Sequence, residues 1–443
     1  MNDAVFYRNM RQKLPVVSHG EGIYLYDEEG KRYIDGCSGA LVSNIGHGVS
    51  EVADAVAEQV RRVAFAHLMQ FANRPLSELA NLIAEMAPAG GRTYFVSGGS
   101  EATETALKMA RQYHLERGKV RKHKVIARWR SYHGNTLGAL SMSGHTARRR
   151  KYDELLLDFP HIEPPYCYRC PYELQHPSCG IRCAKELELA ILREGPENVS
   201  AFIAEPISGS SIACLVPPPE YLPMIREICD RYDVLFIADE VMTGFGRTGA
   251  NFGVDHWRVV PDLMAFGKGI SGGYSPLGGV LALEKVHEVF EKGSGAFVHG
   301  HTYGGNPVSA AAGLATLTYI KKHGLVQRAA QTGEYLHKRL LELADEVDIV
   351  GDVRGLGLMQ GLEFVKDRQT AAPFDPGLGL TNRVLARAKQ RGLLLYPGTG
   401  CVDGVAGDSV IVAPPLITTP DQIDEIVDIL AEVLKEIAVE VRA

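Results

Sequence analysis

The sequence predicts an α/β protein: a large domain built on a mostly parallel sheet, and a smaller α+β domain assembled from both ends of the chain. Three observations lead there. Short apolar runs alternate with helical stretches through the middle of the chain, the pattern of a parallel sheet buried on both faces. After about residue 320 the texture changes to long charged helices around short strands. At 443 residues the chain is also too long for one core. The expected boundaries are 1–60 for the N-terminal part of the small domain, 61–322 for the large domain and 323–443 for the C-terminal part of the small domain.

Each element follows from local pattern. Residues 23–35 (IYLYDEEGKRYID) are two alternating runs around a Glu-Glu-Gly turn, which predicts a β-hairpin. Residues 50–66 carry apolar positions at helical spacing, with Ser50 as the N-cap. Ser97-Gly98-Gly99-Ser100 precedes EATETALKMARQYH, a strong helix former. Strands are expected at 124–128, 201–204, 234–238 and 262–266, with a helix over 219–232. In the last third, helices are expected over 326–346 and 420–441, and strands near 359–364 and 409–413. Pro217-Pro218-Pro219 and Pro414-Pro415 mark rigid corners.

Composition narrows the function. Hydrophobic residues make up 45% and charged residues 23%, and the net charge is -6. Nothing in this points to nucleic acid or an anionic membrane as a partner. No stretch reaches the roughly 18 apolar residues of a membrane span. The N-terminal MNDAVFYRNMRQKLP has neither an apolar core nor a small-residue cleavage site, so a cytoplasmic protein is expected. The eight cysteines then read as thiols or metal ligands rather than disulfides.

Three features carry chemistry. Asp239 ends the apolar run VLFIAD, which places an acid at the carboxyl end of a buried strand, the edge where open α/β sheets bind ligands. A buried carboxylate needs a cation or donors, and a protonated pyridine nitrogen would serve. The bland alternative is a surface turn. Lys268 follows another apolar run and is flanked by Gly267 and Gly269. Such a lysine can approach a planar ring and form an imine, although an isolated Gly-Lys-Gly is more often an exposed loop. Ser97–Ser100 opens a helix whose free amides and dipole suit a phosphate, although an ordinary cap would look the same. Neither the Walker nor the Rossmann glycine pattern is present, which weighs against a nucleotide-binding enzyme.

Together, in this order, the three features resemble the fold type I pyridoxal-phosphate (PLP) enzymes. The closer resemblance is to the class III aminotransferases, the group of the ω-amino acid/amine:pyruvate, ornithine and 4-aminobutyrate transaminases. It runs through YIDGCSGALVSNIGHG, SGGSEATETALKMAR, SYHGNT, AEPI, ADEVMTGFGRTG, AFGKGISGGYSPLG and HGHTYGGNP. The resemblance implies PLP held as a Schiff base on Lys268, with Asp239 as partner of the pyridinium nitrogen. Val241 and Tyr132 would cover the two ring faces, and Glu205 would lie beside the phenolic oxygen. Gly98, Gly99 and Ser100 would bind the phosphate, and His133 would belong to the same cofactor site. Thr302 would reach the phosphate of a neighbouring subunit, which implies a homodimer, or a dimer of dimers, with shared active sites. The implied reaction is ping-pong transfer of an amino group from an amine or an ω- or α-amino acid to a keto acid, with pyruvate expected. A decarboxylating transaminase or aminomutase shares these residues, and a non-catalytic protein retaining the fold is the alternative from another class.

Some positions depart from the family pattern. Gly98 stands where relatives have a hydroxyl residue or an Asn-Ser pair. The first substrate loop is Gly39-Ala40-Leu41-Val42, without the tryptophan of many amine:pyruvate members, so Leu41 is expected at a roomier pocket. Tyr396 replaces a mobile arginine and is followed by an insertion, PGTGCVDGVAGDS, which could act as a lid. Arg391 and Arg354 are weak substitutes for that arginine. Finally, Cys167, Cys170, Cys179 and Cys183, with His176 between them, have a spacing that could hold a structural zinc. Free thiols on a surface insertion are the opposed reading, and the family's catalysis needs no metal.

Overall fold

Seven strands form the central sheet, in the order Arg92–Val96, Gly278–Ala282, Leu263–Phe266, Leu235–Asp239, Val199–Ala204, Lys124–Arg128 and His161–Ile162. A computed structural model describes residues 4–442. Residues 1–3 of the N-terminal stretch and residue 443 of the C-terminal part lie outside the described residues. From Leu263–Phe266 to His161–Ile162 every neighbour is parallel. Gly278–Ala282 alone is reversed, antiparallel to both of its neighbours. The central strands are buried along their whole length, as their near-continuous apolar sequences require.

Most expected elements form within a residue or two of their predicted ends, and the strand expected at 409–413 begins earlier, at Ala406. The helix near residue 50 runs Ser50–Arg62, shorter than expected. Val49 is its N-cap and no side chain caps it, so Ser50 is its first residue rather than its cap. It packs on the helix Pro307–Lys322.

Two small sheets flank the large one. Val17–Glu21, Tyr24–Asp27 and Arg32–Asp35 form an antiparallel meander, to which Leu393–Leu394 adds in parallel. Val350–Leu356, Met359–Phe364, Ala406–Val412 and Tyr396–Val402 form an antiparallel sheet. The insertion after Tyr396 is therefore two paired strands turning at residues 403–405, not a free loop. The last helix, Pro420–Arg442, buries Ile423, Ile426, Val427, Leu430, Val433, Leu434 and Ile437 on one stripe. Each contributes about 1.5–3 kcal/mol on burial, which fixes this long amphipathic helix against the helices Leu325–Glu346 and Leu380–Gln390. No helix among the described residues is long and apolar enough to cross a membrane.

Candidate active site

Parallel strands all end on the same edge, and here that edge collects the polar groups. Register pairs Ala204 with Ala238 and Asp239 with Ala265. Glu205, Asp239 and Lys268 therefore leave three adjacent strand ends side by side. The strand Lys124–Arg128 leads on to Tyr132 and His133 at the same edge. The helix Gly99–Glu116 points its N-terminus at this group, because a Cβ on Gly267 would fall only 3.3 Å from the Gly99 nitrogen.

Asp239 is buried. Its Oδ2 lies 2.7 Å from His133 Nδ1, and its Oδ1 accepts the Val241 amide at 3.1 Å. The His133 backbone amide donates to Ser143 Oγ at 2.7 Å, so the ring is held where it steadies the carboxylate. Glu205 is also buried, and its Oε1 accepts the Gly209 amide at 3.0 Å. Burial raises its carboxyl above the usual range, and the nearby Asp239 charge adds to this. Lys268 starts a one-turn helix with φ of +47°, a left-handed conformation costly for a residue with a Cβ. Gly269 after it has no room for a side chain, since a Cβ would run into the Asn44 amide. Burial pushes the Lys268 amine down to about 8, against the opposing pull of Asp239 and Glu205. A neutral amine is thus available near pH 8, as addition to a carbonyl requires.

The helix start forms the second wall. Ala102 is the first helical amide to find a backbone acceptor, Gly98 O at 3.0 Å. The amides before it are left for a ligand or water. Ser100 Oγ accepts the Asn135 amide at 3.1 Å. Val241 packs under Gly99 so tightly that a Cβ there would lie 2.8 Å from its Cγ1. Two buried polar atoms of this group have no protein partner, Glu205 Oε2 and His133 Nε2. These orphaned atoms, the glycine cradle and the free amides fit a flat, phosphorylated cofactor with polar ring substituents.

Other expected residues fall differently. Tyr132 is half-buried, and burial raises its hydroxyl. Tyr396 begins its strand near enough for its charge to act on Tyr132. Leu41 is buried in the main core rather than placed at a pocket. Its φ of +58° turns the side chain inward, while Gly39 and Ala40 stay accessible. Arg354 is buried and bound to Asp352, Glu363 and the Ile212 carbonyl. Arg391 pairs with Glu432 and Glu436 on the outer helices. Neither substitutes for the mobile arginine. Thr302 is exposed, on a groove lined also by His67, Leu68, Tyr94 and His301, and its neighbour His301 approaches Glu101 at 3.8 Å. All eight cysteines are free thiols. No group of three or more Cys, His, Asp or Glu among the described residues is arranged to hold a metal, while Cys167, Cys170, Cys179 and Cys183 lie near enough for their charges to act on one another. Cys179 and Cys183 pack as apolar groups against the main core.

Two residues of this region were not singled out from sequence. Arg247, in the GFGRTG segment, is fully buried and donates to Leu358 O at 3.0 Å, Pro414 O at 2.5 Å and Asn44 Oδ1 at 2.7 Å. It ties the last third of the chain to the loop below Lys268. Arg148, in the run Arg148-Arg149-Arg150, lies with its guanidinium 4.2 Å from the centre of the Tyr132 ring. A triple-arginine run is usually a solvated face, which hid it.

Comparison with known proteins gives one consistent picture. The family model "Aminotransferase class-III" matches residues 5–434. An uncharacterized aminotransferase of Bacillus subtilis (strain 168), YodT, is 43% identical over 94% of this chain and 94% of its own. The putrescine–pyruvate aminotransferase of Pseudomonas aeruginosa is 39% identical over 99% of this chain and 94% of its own. A PLP-bound amine transaminase from an uncultivated Pseudomonas species superposes with a TM-score of 0.91 at 34% identity, covering 98% of both chains.

Proposed function

This chain belongs to the class III aminotransferases, PLP-dependent enzymes that move an amino group between an amine or amino acid and a keto acid, and on that basis we propose the role of each site residue and the acceptor. The observation that carries the assignment is the convergence of Glu205, Asp239 and Lys268 from three adjacent strand ends in front of one helix N-terminus. When bound, PLP supplies an aldehyde for amine exchange and an electron-poor ring that drains charge from the substrate carbon.

Lys268 would hold the cofactor's aldehyde carbon and would carry the proton at the substrate carbon as general base and then acid. Its lowered pKa, about 8, suits both tasks near neutral pH. Asp239 would accept a hydrogen bond from the protonated ring nitrogen, and His133 steadies that carboxylate through its other oxygen. Val241 and Tyr132 would hold the ring from its two faces, and Glu205, whose Oε2 has no protein partner, would meet the phenolic oxygen. Gly98, Gly99 and Ser100 bind the phosphate through the helix amides.

The phosphate cradle is completed by Thr302 of a second copy, so the enzyme is a homodimer. Supporting this, Thr302 is exposed beside a surface bearing Phe65, Met69, Phe71 and Tyr303, the last 65% accessible. Apolar side chains so concentrated are characteristic of an interface. Its place is the cytoplasm. The acceptor is pyruvate: Tyr396 stands where an arginine could meet a second carboxylate. The test is a panel of amines and ω- and α-amino acids with pyruvate or 2-oxoglutarate, followed through the visible absorbance of the cofactor and product formation. A cofactor that no donor can convert would refute the assignment. Faster turnover with 2-oxoglutarate than with pyruvate would refute the acceptor.

A further inference from the structure

Tyr396 leaves this site without the cation that would ordinarily meet an acid substrate, yet every keto-acid acceptor brings a carboxylate. The arginines around the site are mostly committed. Arg128 donates to Glu205 O at 2.6 Å, Arg130 pairs with Glu163, and Arg149 spends its guanidinium on the carbonyls of Leu140, Ser141 and Ser143. Arg247 and Arg354 are buried in their own networks.

Arg148 differs from all of these. It is half-buried, its guanidinium lies over the Tyr132 ring, and no carboxylate pairs with it among the described residues. Its charge reaches Lys268 and helps to lower that amine, so it lies near the reacting region. The neighbouring His145 meets the Tyr132 ring edge-on at 6.4 Å and is held neutral, its pKa near 4 through burial. It therefore offers no competing charge. Arg8 of the N-terminal segment adds a weaker positive influence on the same ring.

The backbone that carries Arg148 is fixed from two sides. Arg149 anchors it to the three carbonyls just named. On the other side the turn of the 396–412 hairpin presses on it: Gly404, with φ of +74°, sits against Thr146 with no space for a side chain between them. The insertion that follows Tyr396 thus supports the short helix Thr146–Arg149.

We propose that Arg148 binds the carboxylate of the acid substrate, the keto-acid acceptor and the amino acid formed from it, in place of an arginine at position 396. This rests on the site assignment above. The Arg148 guanidinium, over the Tyr132 ring and with one donor on that tyrosine's hydroxyl, keeps further donors for the two carboxylate oxygens, and partial burial strengthens the pairing. Donor amines without a carboxylate gain nothing from it.

The test uses PLP-loaded enzyme and its two half-reactions separately. The donor half-reaction is run with putrescine, the amine without a carboxylate that is named for the Pseudomonas aeruginosa relative, and the acceptor half-reaction with pyruvate. In R148Q the ratio of the pyruvate rate to the putrescine rate, each compared at low substrate, is expected to fall about 10- to 100-fold, as loss of a charged hydrogen bond implies. The loss should appear as a raised KM for pyruvate, and R148K should recover part of it. An unchanged ratio, or equal losses in both half-reactions, overturns the proposal while leaving Lys268 and Asp239 where they are. Wild-type enzyme that no donor converts would instead overturn the site assignment and the proposal with it. As a second measurement, G404V should lower the same ratio by displacing Thr146, and a ratio unmoved in both variants rejects the role.

Discussion

Removing the amine of Lys268 while keeping its stem should make the cofactor-free protein more stable. In the folded chain the amine is held to a pKa of about 8, against an ordinary 10.5. That difference already contains the attraction of Asp239 and Glu205, so it is the net cost of keeping the charge there. At 1.36 kcal/mol per pKa unit it comes to about 3 kcal/mol at pH 7. The direction with pH follows from proton binding. Between about 8 and 10.5 the unfolded chain holds the proton and the folded chain does not, so stability rises with pH across that window. Below 8 the full cost is present, and above 10.5 it vanishes. K268M should therefore unfold in urea with about 3 kcal/mol more free energy than the wild-type apoprotein at pH 7. The advantage should shrink through pH 8–10.5. A gain that does not change with pH would point to packing by the methionine, and no gain at pH 7 would refute the claim that Lys268 is a buried cation under strain.

Three other outcomes follow from the same geometry. D239N should weaken cofactor retention by about 2–5 kcal/mol, measured by dialysis and titration, because it removes the charge facing the ring nitrogen; unaltered retention would exclude that contact. G99A should cost about 1–3 kcal/mol through the Cβ forced onto Val241 Cγ1, and G99A/V241A should recover most of it in thermal unfolding; an equal loss in both would rule out the clash. His114, buried and bonded to Ser200 O at 2.9 Å, has its pKa lowered by burial to about 4. The unfolded chain takes up that proton first, so stability should fall as pH drops from 6.5 to about 4, by about 2 kcal/mol at pH 5 from this residue. Urea midpoints across that range should show a shallower fall in H114Q, and an identical slope would refute the assignment.

What could be read from the sequence was what depends on neighbours along the chain. Apolar runs ending in Asp239 and before Lys268 announce strand ends, and strand ends of a parallel sheet face the ligand edge whatever else the chain does. The reversal of Gly278–Ala282 was missed because its residues are as apolar as a parallel strand's. The short, glycine-rich connection from Phe266 was the available signal, since a parallel crossover generally needs a dozen residues or more. Leu41 was misplaced because its direction depends on a positive φ that only the packed loop imposes. Arg148 and Arg247 depend on partners outside their own segments, Tyr132 and Pro414, and no local pattern distinguishes them from surface charge. The hairpin after Tyr396 looked like a loop because glycines hide its alternation.

The parallel pairing of Leu393–Leu394 with Arg32–Asp35 sets an order on biosynthesis. The meander Val17–Asp35 leaves the ribosome well before the strand that closes its edge, Leu393–Leu394. At about 5–20 residues per second the wait is on the order of tens of seconds. Until then Tyr33 and Ile34, buried in the finished protein, border an open edge that can pair with any extended segment nearby. The nascent chain is therefore most in need of a chaperone at this meander, and a rearranged gene that makes Leu393–Leu394 just before it would shorten that exposure.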